Sequence, residues 1–159
     1  MVGAFGVGKT SLVSRFVSSV FSDKYLSTVG AKVDKKTLTA AGQDVMLMLW
    51  DLAGEDDSTK VNMTYLRGSA GYLLVMDRTR RATLDSARLL SERITKEIGR
   101  LPFVAVVNKA DVAEGVEIAT AELGSLTASG WTVLETSAKS GQNVDAAFTK
   151  LAEMLLAGG

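Results

Sequence analysis

The chain has 159 residues, the size of one ordinary domain, and its 47% apolar and 23% charged content excludes a disordered, collagenous or coiled-coil polypeptide. Lys plus Arg and Asp plus Glu each number 18, so no net field favours nucleic acid or an anionic membrane. Cys and His are both absent, which removes disulfides, thiolate metal sites, cysteine-linked lipids and imidazole base catalysis. The longest apolar run, Val45 to Trp50, is six residues, far below the ~18 of a membrane span. With no signal segment at the N-terminus, a cytoplasmic α/β domain is expected.

Gly3-Ala4-Phe5-Gly6-Val7-Gly8-Lys9-Thr10 opens the chain and matches the phosphate-loop pattern G-x-x-x-x-G-K-[ST]. Its glycines let successive N–H groups turn inward around a phosphate, and the helix that follows offers its positive end. In that pattern Lys9 reaches the β- and γ-phosphates and the Thr10 hydroxyl ligates Mg²⁺. A Gly-rich turn with an exposed lysine would read the same way, and the motif alone does not separate ATPases, kinases and GTPases. A helix is predicted from Lys9 to about Ser19. Only Met1 and Val2 precede Gly3, so the first strand is expected to be truncated: either the natural chain begins earlier or the sheet is unusually short there.

Lys32 to Thr39 and Asp44 to Asp51 flank Ala41-Gly42-Gln43 and read as an antiparallel hairpin. Tyr72 to Met76, Phe103 to Val107 and Thr132 to Glu135 are short apolar runs suited to parallel strands covered on both faces. Leu84, Ala87, Leu90, Ile94 and Ile98 recur at helical spacing until Gly99 and Pro102 stop them. A weaker helix is predicted between residues 118 and 129, ended by Gly130. Val144, Ala147, Phe148, Leu151 and Leu155 form a last helical stripe with Asn143 as its cap. This order implies a single α/β domain over residues 1–159. Its sheet is mostly parallel with one antiparallel edge strand from the hairpin, and ligands bind at the carboxyl ends of the strands.

Asn108-Lys109-Ala110-Asp111 follows the strand ending at Val107, and Thr136-Ser137-Ala138-Lys139 follows the next predicted strand. With the phosphate loop, these motifs resemble those of a small GTPase of the Ras superfamily, closest to the Rab branch, from Gly3 to about Leu156. The resemblance implies the three-layer α/β/α P-loop GTPase (G domain) fold and a molecular switch that binds GTP or GDP with Mg²⁺ and hydrolyses GTP. By that likeness Asp111 accepts hydrogen bonds from guanine N1–H and its amine, whereas adenine would leave a buried carboxylate unpaired. Ala138 would donate its N–H to guanine O6, with Asn108, Lys109, Ser137 and Lys139 completing the base site.

Trp50-Asp51-Leu52-Ala53-Gly54-Glu55 resembles the Rab segment W-D-T-A-G-Q-E, which implies that Asp51 holds Mg²⁺ through water and the Gly54 N–H meets the γ-phosphate. Tyr25-Leu26-Ser27-Thr28-Val29-Gly30 resembles the first switch, in which Thr28 gives its hydroxyl to Mg²⁺ and its N–H to the γ-phosphate only in the GTP state. The implied nucleotide set runs through Gly3, Ala4, Phe5, Gly6, Val7, Gly8, Lys9, Thr10 and Ser11, then Phe21, Tyr25, Thr28 and Gly54. Phe21 also reads simply as a core aromatic. The implied metal ligands are Thr10, Thr28 and Asp51, and the implied catalytic positions are Lys9, Thr28, Gly54 and Glu55.

Two departures bear on rate. Glu55 stands where relatives carry the Gln that orients attacking water, and repulsion from phosphate should push its carboxylate outward. Phe5 stands where Ras has glycine, and its ring would obstruct an incoming arginine finger. Slow hydrolysis is therefore expected, with a non-hydrolysing GTP-binding module as the alternative; Asp111 and Ala138 disfavour an ATP-using enzyme. Effectors, exchange factors and activating proteins are expected to bind residues 22–31 and 52–68. Trp50 and Tyr65 read equally as a partner patch or as core. Arg78, Arg80 and Arg81 read as a solvated basic loop or a docking patch. With Gly158-Gly159 terminal and neither Cys nor a basic tail, no lipid anchor is expected on this chain.

Overall fold

Short apolar runs, three of them ending in a polar residue, form the central sheet. β1 (Val2–Gly3), β4 (Tyr72–Asp77), β5 (Phe103–Asn108) and β6 (Val133–Glu135) lie parallel in the order β1-β4-β5-β6. The register sets Val2 beside Leu74, Tyr72 beside Phe103 and Val107 beside Glu135. The computed structural model describes residues 1–24 and 26–159; Tyr25 lies outside the described residues, and so does its expected role.

Alternation along β4 and β5 feeds two cores. Tyr72, Leu74, Met76, Ala105 and Val107 pack with Leu84, Ala87, Leu90 and Ile94 of α2 (Ala82–Glu97) and with Leu123 and Leu126 of α3 (Thr120–Ala128). Leu73, Val75, Val104 and Val106 pack with Leu12 and Phe16 of α1 (Lys9–Ser18) and with Ala147, Phe148 and Leu151 of α4 (Val144–Ala157). The result is a three-layer α/β/α fold in which Phe16 and Phe148 stack with ring centres 4.0 Å apart. Both faces of β4 are buried, but β6 is only half-buried along its length. It has a neighbour on one side alone, so the expectation of a fully covered strand fails there.

The hairpin strands β2 (Ala31–Ala40) and β3 (Gln43–Leu52) pair antiparallel from Ala31 opposite Leu52 to Ala40 opposite Gln43. Gln43 joins the ladder, leaving a two-residue turn of Ala41 and Gly42, both at positive φ (49° and 75°), which suits the twist of the strands. The hairpin forms its own two-stranded sheet rather than an edge fully laddered to the parallel one. The reason is the brevity of β1. Contact is still made: the Met1 amine donates to Trp50 O at 2.8 Å, and Ala4 bridges Glu55 in parallel through Phe5 N–H to Glu55 O at 2.8 Å and Glu55 N–H to Gly3 O at 3.2 Å.

Asn143 does not cap α4 with its side chain. Its own backbone is left-handed (φ 54°), and its amide turns back to donate to Glu135 O at 2.9 Å, tying the helix start to the end of β6. A short 3₁₀ turn at Met63–Tyr65, begun by the Asn62 carboxamide accepting Thr64 N–H, was not legible from periodicity because three residues carry none. Among the described residues no helix is long and apolar enough to cross a membrane.

Candidate functional site

The carboxyl ends of the parallel strands, as the sheet type dictates, open onto a cavity of about 310 Å³. Gly8, Lys9, Thr10, Thr28 and Gly54 line one end; Asn108, Lys109, Asp111, Ala138 and Lys139 line the other. Ser11 and Phe21 also line it, and Phe5 stands half-exposed at its edge. Gly3, Ala4, Val7 and Ser137 are not among the residues that line it.

Lys9 is buried at the start of α1, its Nζ donating to Gly3 O at 3.2 Å and Ala4 O at 3.0 Å. Burial pulls its ammonium down to about 8, against the attraction of Asp51 and Glu55 and with the added repulsion of Arg80. A cation so poorly hydrated is primed for an anion. Gly8 has φ 98°, and a Cβ there would come within 2.3 Å of Asn108 Nδ2. Gly54 has no room for a side chain either, since a Cβ would sit 2.6 Å from Phe5 Cα and 2.9 Å from Lys9 Nζ.

The three expected metal ligands converge. Thr10 Oγ1 lies 2.6 Å from Thr28 Oγ1 and donates to Asp51 Oδ2 at 2.6 Å, and Thr28 Oγ1 donates to the same oxygen at 3.1 Å. Adjacent oxygens around an octahedral Mg²⁺ at ~2.1 Å stand about 3 Å apart, so this spacing fits the ion. Asp51 is buried, and its Oδ1 has no protein partner among the described residues. One carboxylate and two hydroxyls are too few for an all-protein cage but suit Mg²⁺ shared with phosphate oxygens and water.

At the other end, Asn108 is a strut. Its Nδ2 donates to Val7 O at 3.0 Å while its Oδ1 accepts Thr136 Oγ1 at 3.3 Å and Ala138 N–H at 3.2 Å. The Ala138 N–H, expected to point at a base, is thus turned to Asn108 here. Asp111 is exposed rather than buried, and Ser137 Oγ donates to its Oδ1 at 2.7 Å, fixing its aim. Lys109 has the strained φ 66° and sends Nζ to Gly6 O at 3.2 Å and Asp77 Oδ2 at 2.6 Å. Arg15 of α1 donates to Ala138 O at 2.7 Å and to Lys139 O, holding the loop from behind.

Glu55 does not face the cavity. Arg93 Nη1 of α2 meets its Oε1 at 2.7 Å and Val61 N–H donates to the same oxygen at 2.9 Å, leaving the side chain 10% exposed. The three arginines expected as one basic cluster diverge: Arg78 pairs with Glu135, Arg80 reaches Phe5 O at 2.8 Å, and Arg81 pairs with Asp85 and Glu122. Trp50 and Tyr65 are partly exposed with ring centres 6.0 Å apart, so neither is simply core. Sequence reading missed Arg15, Asp77 and Arg93, and it named Thr136 only as part of the motif that runs to Lys139. Only Asp77 left a signal, as the first polar residue after an apolar strand; the others are supplied by elements distant in sequence.

The model of the Ras family matches residues 1–157. Ras-related protein RABA2d of Arabidopsis thaliana is 36% identical over 157 residues, spanning 97% of this chain and 72% of that protein. Ras-related protein Rab11D of Lotus japonicus is 35% identical over 158 residues (95% and 70%), and human Ras-related protein Rab-4B is 32% identical over 158 (98% and 74%).

Proposed function

The chain belongs to the Ras family and is a Rab-like small GTPase, and on that premise we propose that it is a slowly hydrolysing guanine-nucleotide switch whose site is the cavity between Lys9 and Asp111. One observation carries the reading: Thr10 and Thr28, bonded to each other and to Asp51, and Asp111, held by Ser137, line one cavity together with Lys9 and the phosphate loop.

Bound Mg²⁺ would supply charge neutralisation of the β- and γ-phosphate oxygens. Thr10 and Thr28 would hold it directly, with Asp51 behind them. Lys9 would exchange the Gly3 and Ala4 carbonyls for phosphate oxygens, and the loop N–H groups would enclose the β-phosphate. Thr28 comes from the segment before β2 and Gly54 from the segment after β3. A bound γ-phosphate would give their N–H groups an acceptor that holds both against the loop, and its loss would free two partner-facing segments. At the base end Asp111 would pair with guanine N1–H and amine, the covering base supplying the burial that makes the pairing selective. Catalysis is then positioning and electrostatics.

Slow turnover is supported by Glu55, which Arg93 and Val61 hold away from the cavity and which cannot present a carboxamide to water, and by Phe5 at the edge. The non-hydrolysing alternative rests on the same two residues and predicts no phosphate release on prolonged incubation with GTP. Effectors, exchange factors and activating proteins are proposed to read residues 22–31 and 52–68. Calorimetry with Mg²⁺ tests the reading: GDP should bind at least about 10³-fold more tightly than ADP, and Asp111→Ala should erase most of that ratio. Equal affinities would refute it.

A further inference from the structure

Asp77 ends β4 completely buried beneath the phosphate loop, although a carboxylate at the bottom of an apolar strand is costly unless it is fully engaged. It is fully engaged. Oδ1 accepts the Thr79 N–H at 2.9 Å and hydroxyl at 2.7 Å; Oδ2 accepts Lys109 Nζ at 2.6 Å and Arg80 Nε at 3.0 Å. Each cation then reaches past it to a carbonyl of the loop, Arg80 Nη2 to Phe5 O at 2.8 Å and Lys109 Nζ to Gly6 O at 3.2 Å.

Those two carbonyls belong to the Phe5–Gly6 and Gly6–Val7 peptide units. A trans peptide is planar with its C=O and N–H pointing in opposite directions. Fixing Phe5 O on the outer side therefore aims the Gly6 N–H inward, and fixing Gly6 O does the same for the Val7 N–H. Neither N–H meets a protein acceptor among the described residues. Gly6 holds φ 75°, a conformation that without these pins has near-isoenergetic competitors for glycine.

We propose that Arg80 is a positioning residue for phosphate binding: anchored by Asp77, its guanidinium pins the Phe5 carbonyl so that the Gly6 N–H is presented to the nucleotide's β-phosphate, in parallel with the pin that Lys109 places on Gly6. The inference rests on the reading of the cavity as a guanine-nucleotide site. Arg80 does not line that cavity, so its effect is exerted through the peptide plane and not by contact with the reacting phosphate. Its side chain is 44% exposed, and removing it leaves Asp77 still bonded to Lys109 and Thr79.

The test uses Mg²⁺-loaded protein with GDP and with inosine diphosphate, which lacks the exocyclic amine. Arg80→Ala should release both nucleotides about tenfold faster, by the same factor, because phosphate and not base contacts are lost. It should also move the β-phosphorus NMR resonance of bound GDP. Arg80→Lys should recover part of the loss, and Arg81→Ala, which removes a neighbouring charge that has no contact with the loop, should change neither readout. Wild-type release rates in Arg80→Ala would overturn the proposal. So would faster release with an unmoved β-phosphorus resonance, which signals general loosening, or a defect confined to hydrolysis, which signals a group acting on the γ-phosphate. If wild-type protein fails to bind GDP, the reading of the site falls first; if it binds and Arg80→Ala is indifferent, only this inference falls.

Discussion

A carboxylate at position 55 has two places to go. Beside a γ-phosphate at ~4 Å and an effective dielectric of ~20 it would meet about 4 kcal/mol of repulsion per unit charge. Against α2 it meets Arg93 Nη1 at 2.7 Å and the Val61 N–H at 2.9 Å, both largely out of water. The second wins, and Arg93 also donates to Val61 O at 2.9 Å, so residues 55–61 are stapled to α2 at two points. Replacing Glu55 with Gln removes the repulsion and restores a carboxamide that can orient water. Single-turnover hydrolysis of GTP should then rise by about tenfold, or roughly 1.4 kcal/mol off the barrier. An unchanged rate would mean that the limiting defect lies elsewhere, with Phe5 as the next suspect.

At the scale of elements, α1 and α4 act as a pair behind the site. Phe16 and Phe148 stack nearly parallel at 4.0 Å, and both are almost fully buried. Lys36 of β2 places its ammonium 4.3 Å from the centre of the Phe16 ring, extending the contact to the hairpin. One residue before Phe16, Arg15 holds the carbonyls of Ala138 and Lys139. The packing of two helices therefore fixes the distance between the phosphate loop, which α1 continues, and the loop before α4 that would read the base. Phe148→Ala should cost about 3–5 kcal/mol in urea unfolding. It should also accelerate GDP release, because the cavity it leaves lets α1 and α4 move relative to each other.

Across the whole molecule, Asp77 joins three segments: the phosphate loop through Arg80 and Lys109, the loop after β5 through Lys109, and the start of α2 through the Thr83 hydroxyl, which receives the Asp77 N–H at 3.0 Å. Burial pushes its carboxyl up, but the bonds from Lys109, Thr79 and Arg80 outweigh burial and hold it below the usual carboxylate range. A pKa depressed by folding contributes stability that is present above the unfolded value near 3.9 and is lost as pH falls through the folded value. Wild-type protein should therefore lose stability on acidification below about pH 4. Asp77→Asn should be less stable at neutral pH yet lose less over that acid interval, as followed by urea midpoints at each pH. A parallel pH dependence in the two proteins would remove Asp77 from that role.

The local sequence was sufficient for what is local. The phosphate loop, the helix it opens, the hairpin and the buried β4 and β5 are each specified by residue types at fixed spacing, because glycine at left-handed positions, apolar alternation and helical stripes all act over a few neighbours. Thr10, Asp51 and Asp111 are likewise marked as candidates by their types and motif spacing before any fold is known. Tertiary structure alone decided which partner each charge takes. It sent Glu55 to Arg93, Arg80 to Phe5, Arg15 to the loop before α4 and Asn143 away from its expected cap. The partners in the first three pairs lie 38, 75 and 123 positions apart. A long charged side chain settles where desolvation is best repaid, and that is known only once distant elements have been brought together.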